Sequence, residues 1–317
     1  MKVLKILGIV IGLLLVIALG VYSWASFAAG KRLSKTYAAH TVDFPVPFVV
    51  GGQKARSGES GDRARADALE RGRHLVTDRY GCGECHGSNF GGGVMIDNAA
   101  IGRVLGPNLT SGKGSVTVGY TPADWDRIVR HGIRRNGTPA LMPSQDFQEM
   151  TDQELSDIVV FLRSQPPVDH EVVPLKLGPV GKMLIATGKL QLSADLIPHD
   201  KPHAVSPPET KATIEFGRHL AATCTGCHQA DLSGGTIVGG DPSWPAAANL
   251  TPGPAGIGGW SLADFTRALR EGKRPDGTAL RQPMANVTTY TRKMTGTELE
   301  ALWSYLRSVP GREDRKD

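Results

Sequence analysis

The chain has 317 residues, 40% hydrophobic and 21% charged, enough for the cores of about two ordinary domains. Its 39 glycines and 21 prolines point to long, turn-rich loops. The net charge of +5 comes without a basic run or an interleaved aromatic stripe, which argues against a nucleic-acid partner.

From Ile6 to Gly30 there are 25 consecutive residues without a charge. About 20 apolar residues suffice to cross a hydrocarbon core, so residues 1–30 are expected to form one transmembrane helix. Trp24 and Phe27 suit an interfacial aromatic belt. The rival is a cleaved signal peptide, whose apolar stretch is usually about 7–15 residues, with Ser26-Phe27-Ala28 as a loose cleavage site. Lys2 and Lys5 precede the stretch and Lys31, Arg32 and Lys35 follow it, so flanking charge leaves orientation open. Either way the remainder is expected to be exported. Residues 31–61 read as a tether.

Beyond the tether the chain repeats itself. Gly72-Arg73-His74-Leu75 recurs as Gly217-Arg218-His219-Leu220, and Cys82-Gly83-Glu84-Cys85-His86 as Cys224-Thr225-Gly226-Cys227-His228. Asn108-Leu109-Thr110 recurs as Asn249-Leu250-Thr251, and Phe161-Leu162-Arg163-Ser164 as Tyr305-Leu306-Arg307-Ser308. The order is kept, which predicts two homologous domains, at 62–165 and 210–310. Each reads as opening helix, cysteine motif, Gly-rich loop, short helix, loop and closing helix. Thr121, ahead of Pro122, and Ser261 are N-caps of the short helices. Thr151-x-x-Glu154 and Thr295-x-x-Glu298 are capping boxes of the closing helices. Leu155, Ile158, Val159 and Leu162 share one face of the first, and Leu299, Leu302, Trp303 and Leu306 one face of the second. Almost nothing alternates as a strand. Residues 166–209, with eight prolines, are an irregular connector, and 311–317 a tail. The fold class expected is mainly α.

All four cysteines lie in two Cys-x-x-Cys-His motifs. Two thiols at this spacing can add to the two vinyl groups on one porphyrin edge, which leaves the adjacent histidine beneath the iron. The pattern is the signature of c-type haem attachment. A redox dithiol normally sits near a βαβ unit, which the pattern lacks. Zinc ligand pairs lie much closer together than these two. Disulfides are plausible in an exported chain, but give no reason for the histidine that follows both pairs. Two covalently bound haem c groups are therefore expected, at Cys82, Cys85 and His86 and at Cys224, Cys227 and His228.

A methionine thioether opposite histidine raises the potential and suits electron transfer. Met142 and Met284 each lie 56 positions after the motif histidine, in proline-flanked segments read as extended loops. They are the expected second axial ligands. Met150 and Met294, just before the capping-box threonines, read as packed wedges. Met95 is too close to His86 to reach across. His74 and His219 read as surface or helix-packing residues, and His131, without a counterpart, has no assigned role. Gly72 and Gly217 are expected to admit close contact with Phe161 and Tyr305. Arg134-Arg135 and Lys273-Arg274 fit haem propionates or a solvated surface equally.

These motifs, with Gly106-Pro107-Asn108-Leu109-Thr110, Met142-Pro143 and the closing helix, resemble the class I cytochrome c family over residues 62 to 310, in two copies. The chain looks like the membrane-bound cytochrome c subunits of periplasmic dehydrogenases. The resemblance implies that opening and closing helices cross near the haem, and that the Pro107 carbonyl holds the other nitrogen of His86. The second repeat departs, with Ala248 in place of that proline and Pro283 before its methionine rather than after. The function expected is electron relay from a dehydrogenase or quinol enzyme to a cytochrome or oxidase. The setting would be the periplasmic face of a bacterial inner membrane, with no catalytic residues. The alternatives are a haem enzyme of peroxidase or thiosulfate-oxidising type with one open iron, and a subunit that only anchors a dehydrogenase.

Overall fold

In the computed structural model, which describes residues 2–40, 42–48, 59–237, 240 and 243–315, the chain is mainly helical and the two repeats fold alike. Helix α1 (Lys2–Leu33) leaves its large apolar side chains exposed from Val3 to Leu19, and is long and apolar enough to cross a membrane.

The first repeat consists of α2 (Glu59–His74), the single turn α3 (Gly83–His86), α4 (Pro122–Val129) and the closing helix α5 (Asp152–Ser164). After the connector helix α6 (Pro179–Ala186), the second repeats the plan. It has α7 (Ile214–Ala221), α8 (Thr225–His228), α9 (Leu262–Glu271), α10 (Met284–Thr291) and α11 (Gly296–Ser308). Capping boxes start α5 and α11 at Thr151 and Thr295, and also α4 and α9, where Asp124 and Asp264 take the glutamate's part.

Opening and closing helices cross at glycine. A Cβ at Gly72 would overlap the Asp157 carbonyl and lie 2.9 Å from Phe161 Cβ. One at Gly217 would overlap the Ala301 carbonyl and lie 2.8 Å from Tyr305 Cβ. The crossings organise two cores, one around Leu75, Val76, Trp125, Leu155 and Val159, the other around Phe216, Leu220, Phe265, Leu299 and Leu306.

Three features depart from the pattern read in the sequence. The Gly-rich loop of the first repeat contains a small antiparallel sheet in the order β1 (Gly93–Asn98), β2 (Gly102–Gly106) and β3 (Lys176–Leu177). A bulge between Val94 and Ile96 breaks the alternation that would have marked β1. Within the expected tether, Phe44 and Phe48 are buried in the first core, Val42 N donates to Asp126 and Ser156 donates to the Pro45 carbonyl. Residues 42–48 are thus laid onto the first domain, while positions 41 and 49–58 of that segment lie outside the described residues. The connector in turn holds the anchor. Lys182 donates to Tyr22 and Ser26, Arg32 donates to the Ile185 carbonyl, and Asp195 receives Arg32, Lys35 and Tyr37.

Candidate cofactor sites at the domain interface

Each cysteine motif is one helical turn that follows an opening helix directly. His86 N donates to the Cys82 carbonyl at 3.0 Å, and Cys82 N to the Val76 carbonyl at 3.0 Å. The His86 ring donates Nδ1–H to the Pro107 carbonyl at 2.9 Å, and the His228 ring donates Nδ1–H to the Ala248 carbonyl at 2.7 Å. A carbonyl only accepts, so both rings are fixed as Nδ1–H tautomers with the Nε2 lone pair free for a metal. Burial lowers the pKa of both rings and favours the neutral, ligating form.

The carbonyls are presented by matched loops. Asn108 Oδ1 accepts from Thr110 N and Oγ1, and Asn249 Oδ1 accepts from Thr251 N and Oγ1. Their amides donate to Val168 O at 2.7 Å and Arg312 O at 2.9 Å, past the end of each closing helix. The repeated Asn-x-Thr is therefore a loop lock, a role that repetition alone does not reveal.

Burial pushes the Cys82 thiol up to about 12 and those of Cys224 and Cys227 to about 11, and Cys85 is raised as well. Catalytic dithiols show the opposite shift. Met142 and Cys82 both pack against the first core, and Met284 and Cys224 against the second. Met142 lies in a loop, whereas Met284 begins α10, not the extended loop read from its prolines. Asn286 N donates to the Pro283 carbonyl there, so the turn winds directly into helix. Met150 and Met294 are buried wedges. Arg134 donates to the Pro139 carbonyl and Arg135 pairs with Asp124, so both have partners within their own domain.

A haem c asks for two thiols, a free imidazole lone pair, an apolar wall and donors for its carboxylates, and these residues fit it. Trp125 Nε1, in the core against which Cys82 and Met142 pack, is buried without a hydrogen-bond partner among the described residues and suits a carboxylate acceptor.

Both motifs lie against the opposite domain. Tyr290 of α10 covers Gly81 beside Cys82, where a Cβ would come 2.5 Å from its ring, and Thr289 donates to Glu84 at 2.9 Å. In the reverse direction, Asp146 of the first domain abuts Gly226 between Cys224 and Cys227. Burial raises the Asp146 carboxyl to about 7. Charged pairs complete the interface. His74 meets Glu298, His219 meets Glu154, and Arg79 binds both glutamates.

Comparison with known proteins agrees with this organisation. The profile of the family described as cytochrome c matches residues 214–310, and that of cytochrome c oxidase, cbb3-type, subunit III matches residues 67–162. The chain is a c-type cytochrome built from two cytochrome c domains. Its relatives include the fructose dehydrogenase cytochrome subunit of Gluconobacter japonicus, 26% identical over 79% of this chain and 54% of that protein. The alcohol dehydrogenase (quinone) cytochrome c subunit of Gluconacetobacter polyoxogenes is 28% identical over 71% and 52%. A diheme cytochrome c-type protein of Cereibacter sphaeroides is 25% identical over 74% and 83%. The chain spans about half the length of the first two.

Proposed function

We propose that this chain is a membrane-anchored dihaem cytochrome that relays electrons from a dehydrogenase or quinol enzyme to a cytochrome or oxidase on the periplasmic side of a bacterial inner membrane. Cys82, Cys85 and His86 hold one haem c and Cys224, Cys227 and His228 the other, with Met142 and Met284 as the second axial ligands. Bound haem supplies reversible one-electron chemistry, tuned by its axial sulfur and by the dryness around it. The chain's own residues do the rest. The Pro107 and Ala248 carbonyls hold each imidazole, the two cores exclude water, and the anchor keeps the relay at the membrane.

The observation that carries this reading is the placement of both motifs on the shared domain interface, each covered by a residue of the other domain. That is the arrangement a relay needs, and an anchoring subunit has no use for it. The dehydrogenase partner rests on relatives that are themselves cytochrome subunits of dehydrogenases.

The test is the detergent-solubilised full chain. Haem content should be two per chain, halved by Cys85→Ala or Cys227→Ala. Co-purification should bring down a dehydrogenase whose substrate reduces both haems. A haem absorbance that stays oxidised while the dehydrogenase turns over would overturn the relay.

A further inference from the structure

Outside the cysteine motifs, four of the chain's nine histidines converge where the segment after α1, the end of α4 and the connector meet. His199 Nε2–H donates to the Ala194 carbonyl at 2.9 Å, which leaves its Nδ1 as an acceptor. His131 Nδ1 therefore donates to His199 Nδ1 at 3.1 Å, so the lone pair of His131 is on Nε2. His203 Nδ1–H donates to the Gln148 carbonyl at 3.0 Å, so its lone pair is on Nε2 as well. These two Nε2 atoms face each other at 3.3 Å. In uncharged rings this sets two acceptors against each other, an arrangement that a proton on one ring or a metal ion between the two relieves.

The surroundings supply the rest of a coordination shell. A ring nitrogen of His40 lies within 4.8 Å of those of His131 and His203. His40 Nδ1 is buried and has no hydrogen-bond partner among the described residues. Asp126 Oδ1 lies 3.9 Å from His131 Nε2 and 3.8 Å from His203 Nε2, and the same oxygen pairs with the buried Arg130 guanidinium at 2.6 Å. Two nitrogens each about 2.0–2.1 Å from a tetrahedral zinc are separated by about 3.3–3.4 Å, the spacing that His131 and His203 already have.

We propose that His40, His131 and His203 form a binding site for one divalent transition-metal ion of zinc type, beside the Asp126–Arg130 pair. Imidazole is a good ligand for such ions, and the far nitrogens of His131 and His203 are held by His199 and the Gln148 carbonyl, which orients both rings. The site joins the segment that follows the anchor (His40) to the first domain (His131) and the connector (His203). A bound ion thus ties the anchor to the first haem-bearing domain.

The experiment uses the detergent-solubilised full chain, loaded with zinc and dialysed against a weak chelator. Elemental analysis should find about one zinc per chain in addition to haem iron, and the zinc-edge absorption fine structure should show only nitrogen or oxygen neighbours near 2.0 Å. His203→Gln and His40→Ala should lose most of this zinc while keeping both haems. His40→Ala removes no hydrogen bond of Nδ1 to a described residue, which makes it the milder of the two. No retained zinc in the wild-type chain, equal retention by both variants, or sulfur neighbours around the metal would overturn the proposal.

Discussion

His74 Nε2 lies 2.9 Å from Glu298 Oε2 across the boundary between the domains, and its repeat-equivalent His219 lies 2.8 Å from Glu154. Each glutamate does two jobs. Oε2 of Glu154 caps α5 through Thr151 N while Oε1 receives His219 and Arg79. Oε2 of Glu298 caps α11 through Thr295 N, and Oε1 receives Arg79. Both glutamates are almost fully buried. The two domains are thus joined by a pseudo-twofold exchange, with Arg79 shared by both halves.

Removal of the shared cation should uncouple the domains. In Arg79→Gln, two buried carboxylates lose a partner, and breaking a buried pair from one side costs about 3–5 kcal/mol. Denaturant unfolding followed at the haem bands is expected to change from one transition to two. Glu298→Gln, which can still cap α11, should give a smaller shift in the same direction.

The interface should also have a pH window. The Glu298 hydrogen bond is the main influence that raises His74 above its ordinary 6.5, so its stabilisation is full below about 6.5 and is lost as pH climbs through the raised value. Burial alone would raise Glu298, but His74 and Arg79 outweigh it and hold the carboxyl at about 2. Its stabilisation is full above the ordinary 4.5 and disappears as pH falls toward about 2. Domain coupling should therefore peak between about 4.5 and 6.5. His74→Gln should remove the alkaline limb of a melting-temperature profile and leave the acid one.

The crossing glycines make a third case. A Cβ at Gly72 or Gly217 meets backbone carbonyls, which cannot rotate aside. Gly72→Ala and Gly217→Ala are each expected to cost about 1–3 kcal/mol through overpacking, in spite of alanine's better helix propensity. Separate melts of the two haem signals should show each loss in its own domain.

The axial assignment has a spectroscopic test. If Met142 and Met284 each bind iron, the oxidised protein has a methionine-to-iron charge-transfer band with two equal contributions. Met142→Ala or Met284→Ala should each remove half of it and lower one midpoint potential. A full band in Met284→Ala would place the second ligand elsewhere, the outcome to which the helical setting of Met284 is most exposed.

What was legible in the sequence was local or repeated. The capping boxes, the glycine crossings and the motif turns need only spacing over a few residues, and the repeat made each readable twice. The relationships between elements were not legible. Nothing in the spacing of His74 and Glu298 says that they meet, because each satisfies its own helix pattern alone. His131 stands where the second repeat has Glu271, and its partners His40, His199 and His203 come from segments with no regular period. The β1–β2 hairpin was hidden because a bulge and three glycines leave too few alternating side chains.

The motif histidines give the sharpest contrast between a residue's identity and its backbone. The second repeat has Ala248 where the first has Pro107, yet each carbonyl takes the histidine Nδ1–H, at 2.7 and 2.9 Å. Pro107→Ala should therefore leave haem content and spectrum nearly unchanged. The neighbouring Asn108 is different. It is fully buried, its Oδ1 fixes Thr110 and its amide reaches the carbonyls of Val168 and His170. Asn108→Ala leaves these groups buried and unpaired, at about 1–3 kcal/mol for each group not rescued by water. The loop that carries the Pro107 carbonyl should then loosen, and the first domain should lose haem or stability while the second keeps both. Equal effects from Pro107→Ala and Asn108→Ala would show that the proline ring, and not the locked carbonyl, positions His86.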